Sequence, residues 1–81
     1  MVKNMKNEIL ILGNARTPIG TFGGSLSQTS PTYLGSQVSM EAITRSQIEA
    51  SQIGQVVFGH VINTEPKDMY LSRIAAINAG I

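Results

Sequence analysis

Residues 9–12 read Ile-Leu-Ile-Leu, four consecutive apolar side chains closed by Gly13. Successive side chains of a strand point to opposite faces, so an unbroken apolar run fits a strand covered on both sides. That is the environment of a parallel or mixed sheet sandwiched between helices. A second strand reads over residues 55–58, apolar after Gln55, and resumes past Gly59 as Val61 and Ile62. Two strands that are apolar on both faces need more cover than the rest of so short a chain provides. The pattern therefore places these residues in a sheet wider than two strands.

The stretches between the runs supply the helices. Residues 14–30 form a long loop in which Pro18 fixes one φ and Gly20, Gly23 and Gly24 allow tight turns. A loop of this length inside a compact domain packs on something or serves a function. Ser30 then reads as an N-cap with Pro31 at the first helical position, where its missing N–H is not needed. Leu34, Val38 and Ala42 recur four residues apart with Ile43 beside them, so this stripe is expected to face a core; Gln37, Glu41 and Arg45 fall opposite. Gly35 inside the helix costs roughly 1 kcal/mol relative to alanine and leaves room for a close approach by another element. The helix is expected to end near Arg45 and Ser46. Residues 47–54 form a connector with one helical turn at 49–52, anchored by Ile48 and Ile53. After the second run, Asp68 is expected to cap a final helix over residues 69–78, with Leu71, Ile74, Ala75 and Asn78 on one face. Gly80 stands where a left-handed C-terminal cap belongs. The expected fold class is α/β, in the order strand, helix, strand, helix, with a right-handed crossover.

Composition narrows the function classes. Charged residues are 14% of the chain, against about 25% in ordinary globular proteins. With 42% hydrophobic residues, the chain has little polar surface for its size, as expected of a piece that is normally covered. The net charge is +1 and no basic cluster tracks a phosphate backbone, so nucleic acid is not an expected partner. The absence of cysteine excludes disulfides and thiolate metal sites within these residues. The longest apolar run is far below a membrane span or a signal-peptide core, so no membrane partner is expected and a cytoplasmic location is the default reading.

Little here points to chemistry. Gly20, Gly23 and Gly24 follow neither the dinucleotide-binding nor the Walker spacing and do not lead from a strand directly into a helix N-terminus, so a structural turn is preferred over phosphate binding. Arg16, just after the first strand, is suited either to an anion or to pinning the loop; pinning is preferred. Arg73 poses the same choice, with a surface or subunit-contact ion pair preferred. His60 is the sole histidine and has no nucleophile or metal-ligand partner at useful spacing, so it reads as a hydrogen-bonding residue near a strand end. Glu8, Glu41, Glu49, Glu65 and Asp68 form no evident acid–base pair.

Four segments in order carry a family likeness: ARTPIGTFGGSL (15–26), YLG (33–35), VVFGHVI (56–62) and RIAAINAG (73–80). In these the chain resembles the opening of a thiolase, over almost its whole length. The resemblance implies the thiolase fold, two similar α/β halves around five-stranded mixed sheets, with residues 1–81 as the βαβα opening of the first half and incomplete as a domain. It implies an acyltransferase that makes or cleaves 3-ketoacyl-CoA through a cysteine acyl-enzyme, with acyl-CoA and acetyl-CoA as substrates, no bound cofactor, and a homodimer or homotetramer. In the family the reactive cysteine lies shortly after the helix that ends here near Asn78, and the second cysteine and the histidine come later still. No catalytic, cofactor-binding or metal-binding residue is therefore assigned within residues 1–81, and the segment alone is expected to be inactive and to fold poorly. Residues 63–73 look more like thiolases that accept chains longer than acetoacetyl. The alternatives are a non-catalytic thiolase-like protein that binds lipid or acyl-CoA, and an unrelated small nucleotide-binding module.

Overall fold

The computed structural model describes residues 8–81. Its regular elements are α1 (Pro31–Ser46), a 3₁₀ turn (Ala50–Gln52), a second 3₁₀ turn (Pro66–Tyr70) and α2 (Leu71–Asn78). α1 starts as its sequence dictates. Ser30 is extended, its Oγ accepts from the Thr32 N–H at 3.2 Å, and Pro31 occupies the first turn. The helix stops where Gln47 turns left-handed at φ 61° and its N–H reaches back to the Ile43 and Thr44 carbonyls. At the end of α2, Gly80 takes φ 90° and the Ile81 N–H bonds to Ala76 O at 2.9 Å, closing the helix in the expected left-handed manner.

The core lies where α1 crosses α2, and small residues make it. Thr32, Gly35 and Ser36 of α1 are buried, as are Leu71 and Ala75 of α2. A Cβ built on Gly35 would stand 3.1 Å from the Ala75 Cβ and 3.1 Å from Phe58 Cε2, so the missing side chain sets how closely the elements approach. Burial of hydroxyls at such a crossing requires internal partners. Ser36 Oγ donates to Tyr33 O at 2.8 Å, and Ser39 Oγ donates to Gly35 O at 2.7 Å. The expected apolar stripe of Leu34, Val38, Ala42 and Ile43 is only half-buried. The buried face of α1 is thus rotated toward its small polar residues.

The expectation for the final helix is corrected. The final helix begins at Leu71 rather than at residue 69, because residues 66–70 take the tighter 3₁₀ winding, and Asp68 lies inside that turn instead of capping α2. The strand runs at residues 9–12 and 55–62 form no β-ladder among the described residues, so the βαβα order is not seen. A strand is defined by the ladder hydrogen bonds of a neighbour, and here each run lies beside α1. Leu10, Leu12 and Gly13 lie against Ala42, Ile43 and Ser46, while Phe58 lies on Gly35. Their outer faces are open: Ile11 is 86% and Val61 101% exposed.

Candidate functional site

The carboxyl ends of the two apolar runs each open onto a small hollow. The first lies beside the loop after Gly13 and is bounded by Asn14, Ala15, Arg16, Pro18 and Arg45. Gly13 permits this arrangement, since a Cβ there would stand 2.7 Å from Ala42 O and 2.9 Å from Ser46 N on α1. Arg45, assigned from the sequence to the solvent side, does the pinning expected of Arg16. Its Nε donates to Glu41 Oε2 at 2.7 Å and its Nη1 donates to Asn14 O at 3.1 Å, thirty-one residues away. Arg16 is exposed and, among the described residues, donates to its neighbour Thr17 O at 3.1 Å. Arg73 is exposed on α2.

The glycine loop spends its N–H groups on itself. Gly24 N bonds to Thr21 O at 2.9 Å, Ser27 N to Gly24 O at 3.1 Å, and Thr29 N to Leu26 O at 3.1 Å. Gly23 provides the left-handed residue at φ 68°. Consecutive turns, not a ring of outward amides, account for these glycines.

The second hollow holds more polar chemistry. It is lined by Phe58, His60 and Asn63 from one side and by Asp68, Leu71 and Ser72 from the other, with a volume of about 330 Å³. His60 Nε2 is 2.9 Å from Asn63 Oδ1, so the histidine has the hydrogen bond its position foretold. Asp68 is the unusual member, at 1% exposure. Its Oδ2 accepts from the Thr64 hydroxyl at 2.6 Å, the Thr64 N–H at 2.7 Å and the Glu65 N–H at 3.2 Å. The Thr64 hydroxyl is the main cause that holds this carboxyl below its ordinary range. Burial opposes it, and the two backbone N–H groups and the charge of His60 add to the lowering. Asp68 Oδ1 is buried and has no hydrogen-bond partner among the described residues.

A second network ties this region to α1. Ser30 Oγ donates to Glu65 Oε1 at 2.7 Å and lies 2.8 Å from Thr32 Oγ1. The serine's single proton goes to the carboxylate, so Thr32 must be the donor in the second contact. The start of α1 and the turn before α2 are thereby fastened together across thirty-five residues. Sequence reasoning missed Asp68 and this junction. The spacing Thr64-Glu65-x-x-Asp68, an acid three and four residues after its donors, was the available signal.

Among the described residues, no group of three His, Cys, Asp or Glu side chains stands close enough to hold a metal ion. No described helix is long and apolar enough to cross a membrane. The arrangement offers hydrogen-bond donors and acceptors, and among the described residues the partner of His60 is Asn63, not a hydroxyl it could activate.

Comparison with known proteins supplies what the geometry does not. Residues 9–81 match the family described as Thiolase, N-terminal domain. A beta-ketothiolase (BktB) of Cupriavidus necator is 51% identical over 77 residues, covering 95% of this chain and 20% of the relative. An acetyl-CoA acetyltransferase of Syntrophomonas wolfei is 43% identical over 77 residues, covering 95% of this chain and 19% of its own length. An acetyl-CoA acetyltransferase of Arabidopsis thaliana is 39% identical over 74 residues, covering 91% of this chain and 18% of its own length. The chain spans about a fifth of the length of the curated relatives it matches.

Proposed function

The chain belongs to the thiolase family, and on that premise we propose that it forms the opening βαβα segment of the N-terminal half of an acyl-CoA:acetyl-CoA C-acyltransferase. The match across residues 9–81 carries this reading. The two uncovered apolar runs support it, because each has the composition of a strand and lacks only neighbours. In the parent the runs pair with further strands, and α1 and α2 cover one face of the sheet.

The parent makes or cleaves 3-ketoacyl-CoA through a cysteine outside residues 1–81. A thiolate takes the acyl group as a thioester and passes it on, which divides one difficult acyl transfer into two easier steps. This segment provides scaffold, with the small-residue crossing at Gly35 and Ala75 and the Ser30–Glu65 junction fixing where the chain enters α2. Acyl-CoA and acetyl-CoA are the substrates, the active form is a homodimer or homotetramer, and the location is cytoplasmic. Acceptance of acyl chains longer than acetoacetyl is the finer part of the proposal. It draws on residues 63–73 and on the relative named a beta-ketothiolase being 51% identical, against 43% and 39% for those named acetyl-CoA acetyltransferases.

The test is an assay of the complete protein encoded by the source DNA. CoA-dependent cleavage of 3-ketoacyl-CoA of graded chain length, with one acylated cysteine found by mass spectrometry, is the expected result. Saturable binding of acyl-CoA without cleavage or acylation would favour the non-catalytic, lipid-binding alternative. Activity confined to acetoacetyl-CoA would remove the chain-length proposal alone.

A further inference from the structure

Arg16 suits either an anion or the pinning of its loop, and the structure gives the pinning to Arg45, which holds Asn14 O at 3.1 Å. Arg16 itself is exposed, and among the described residues its bond is to the adjacent Thr17 O. Neither ion pair among the described residues uses it, and residues 1–7 contain no acid. Most of its five N–H donors therefore have no partner here.

The surroundings say what kind of anion fits. Arg16 and Arg45 border the hollow of about 660 Å³ at the end of the first run. A trough of about 270 Å³ continues from them along α1, past Pro18, Tyr33, Leu34 and Val38. Leu34 and Val38 belong to the stripe expected in the core, and here they line this trough, half-buried. Glu41 also lines it and accepts from Arg45 Nε at 2.7 Å, which balances that arginine. One positive charge, that of Arg16, is left in excess at the head of an apolar channel. A phosphate dianion matches neither the single charge nor the apolar lining. A carboxylate with an alkyl tail matches both, since it meets one guanidinium bidentately and covers apolar surface along its length. The charged border also sets the trough apart from the runs at 9–12 and 55–62, because the centres of protein interfaces are poor in charge.

We propose that this trough binds a fatty acid, its carboxylate on the Arg16 guanidinium and its alkyl chain along Leu34 and Val38. The site stands apart from the acyl-transfer chemistry and rests on that reading only in supposing a larger parent.

The experiment is isothermal titration calorimetry of the complete parent protein with octanoate. Acetate, octan-1-ol and inorganic phosphate serve as controls that lack the tail, the charge, and both the tail and the single charge. Saturable binding of octanoate, at concentrations where the three controls give none, is the expected result. Arg16→Gln is expected to raise the octanoate Kd about tenfold or more. Val38→Thr keeps the shape of the trough, adds a hydroxyl to its lining, and is expected to weaken octanoate several-fold. Absence of octanoate binding, or phosphate binding in its place, overturns the proposal. Octanoate binding that Arg16→Gln leaves unchanged belongs to another part of the parent and overturns it equally. So does a crystal structure of the parent with a protein carboxylate seated on Arg16. Should Arg16→Gln fail to fold, Val38→Thr decides by the same criterion. Binding is read without thiolysis, so failure of the acyltransferase reading and failure of this site remain distinguishable.

Discussion

Ala75 on α2 is fully buried while Ile11 in the first apolar run is 86% exposed, although burial rewards isoleucine far more than alanine. The contrast divides the molecule into two regions. At the crossing of α1 and α2, the groups that must meet all belong to this chain: a missing side chain at Gly35, the methyl of Ala75, and hydroxyls that bond their own helix. In the runs at residues 9–12 and 55–62 the chain supplies the side chains but not the partners. Hydrophobicity states a demand for cover, and only neighbouring surface of matching shape can meet it.

The largest expected effect bears on the runs. Ile11→Ala in the complete parent is expected to cost about 2–5 kcal/mol, as for a fully buried isoleucine. In the 81-residue chain the same change is expected to alter stability by at most about 0.5 kcal/mol. Urea midpoints for the parent and far-ultraviolet circular dichroism for the short chain measure the difference. Equal, small effects in both would break the comparison, because the run would then be uncovered in the parent as well.

The crossing provides the converse. Gly35→Val places new atoms where a bare Cβ already meets Ala75 and Phe58 at 3.1 Å, and overpacking of this kind costs about 1–3 kcal/mol. The loss is expected in both the parent and the short chain, read as lower urea midpoint and lower helicity respectively. Loss in the parent alone would mean that the crossing is not self-sufficient.

A smaller, pH-gated effect sharpens the picture at Asp68. Its folded carboxyl is held below the ordinary range, so its contribution is present above the unfolded value and disappears as pH falls through the folded value. That window lies below the usual carboxylate range of about 3.9. Thr64→Val removes the main cause of the lowering, and the acid limb of the parent's stability curve is expected to move to higher pH. An unmoved limb would assign the acid sensitivity to other carboxylates. Smallest of all is Glu41→Gln. The Glu41–Arg45 pair is half-exposed on both sides, and its loss is expected to change stability by about 0.5 kcal/mol or less, measurable only as a slight shift in midpoint.

Much of the helical framework was legible because its signals act over a few residues. Ser30 and Pro31 started α1, Gly80 ended α2, and the turn at Ala50–Gln52 fell inside the connector marked for it. Gly35 announced a close approach but not its partner. The site was less legible. His60 was read as a local hydrogen-bonding residue, and Asn63 fills that role. Asp68 was read as a helix cap, because an acid just before a helix suits either role and only its spacing from Thr64 and Glu65 pointed to the preceding loop.

The sequence by itself determined the start of α1, the end of α2, the connector turn, the two apolar runs and the family, since each depends on residue type at short spacing or on motif order. Tertiary structure alone decided that Thr32 and Ser36 would be buried in place of the Leu34–Val38 stripe, that Arg45 would hold Asn14, and that Ser30 would reach Glu65. Those outcomes depend on which surfaces of distant segments fit within a few ångströms of one another. Such a fit is a property of shape in three dimensions, and no local pattern encodes it.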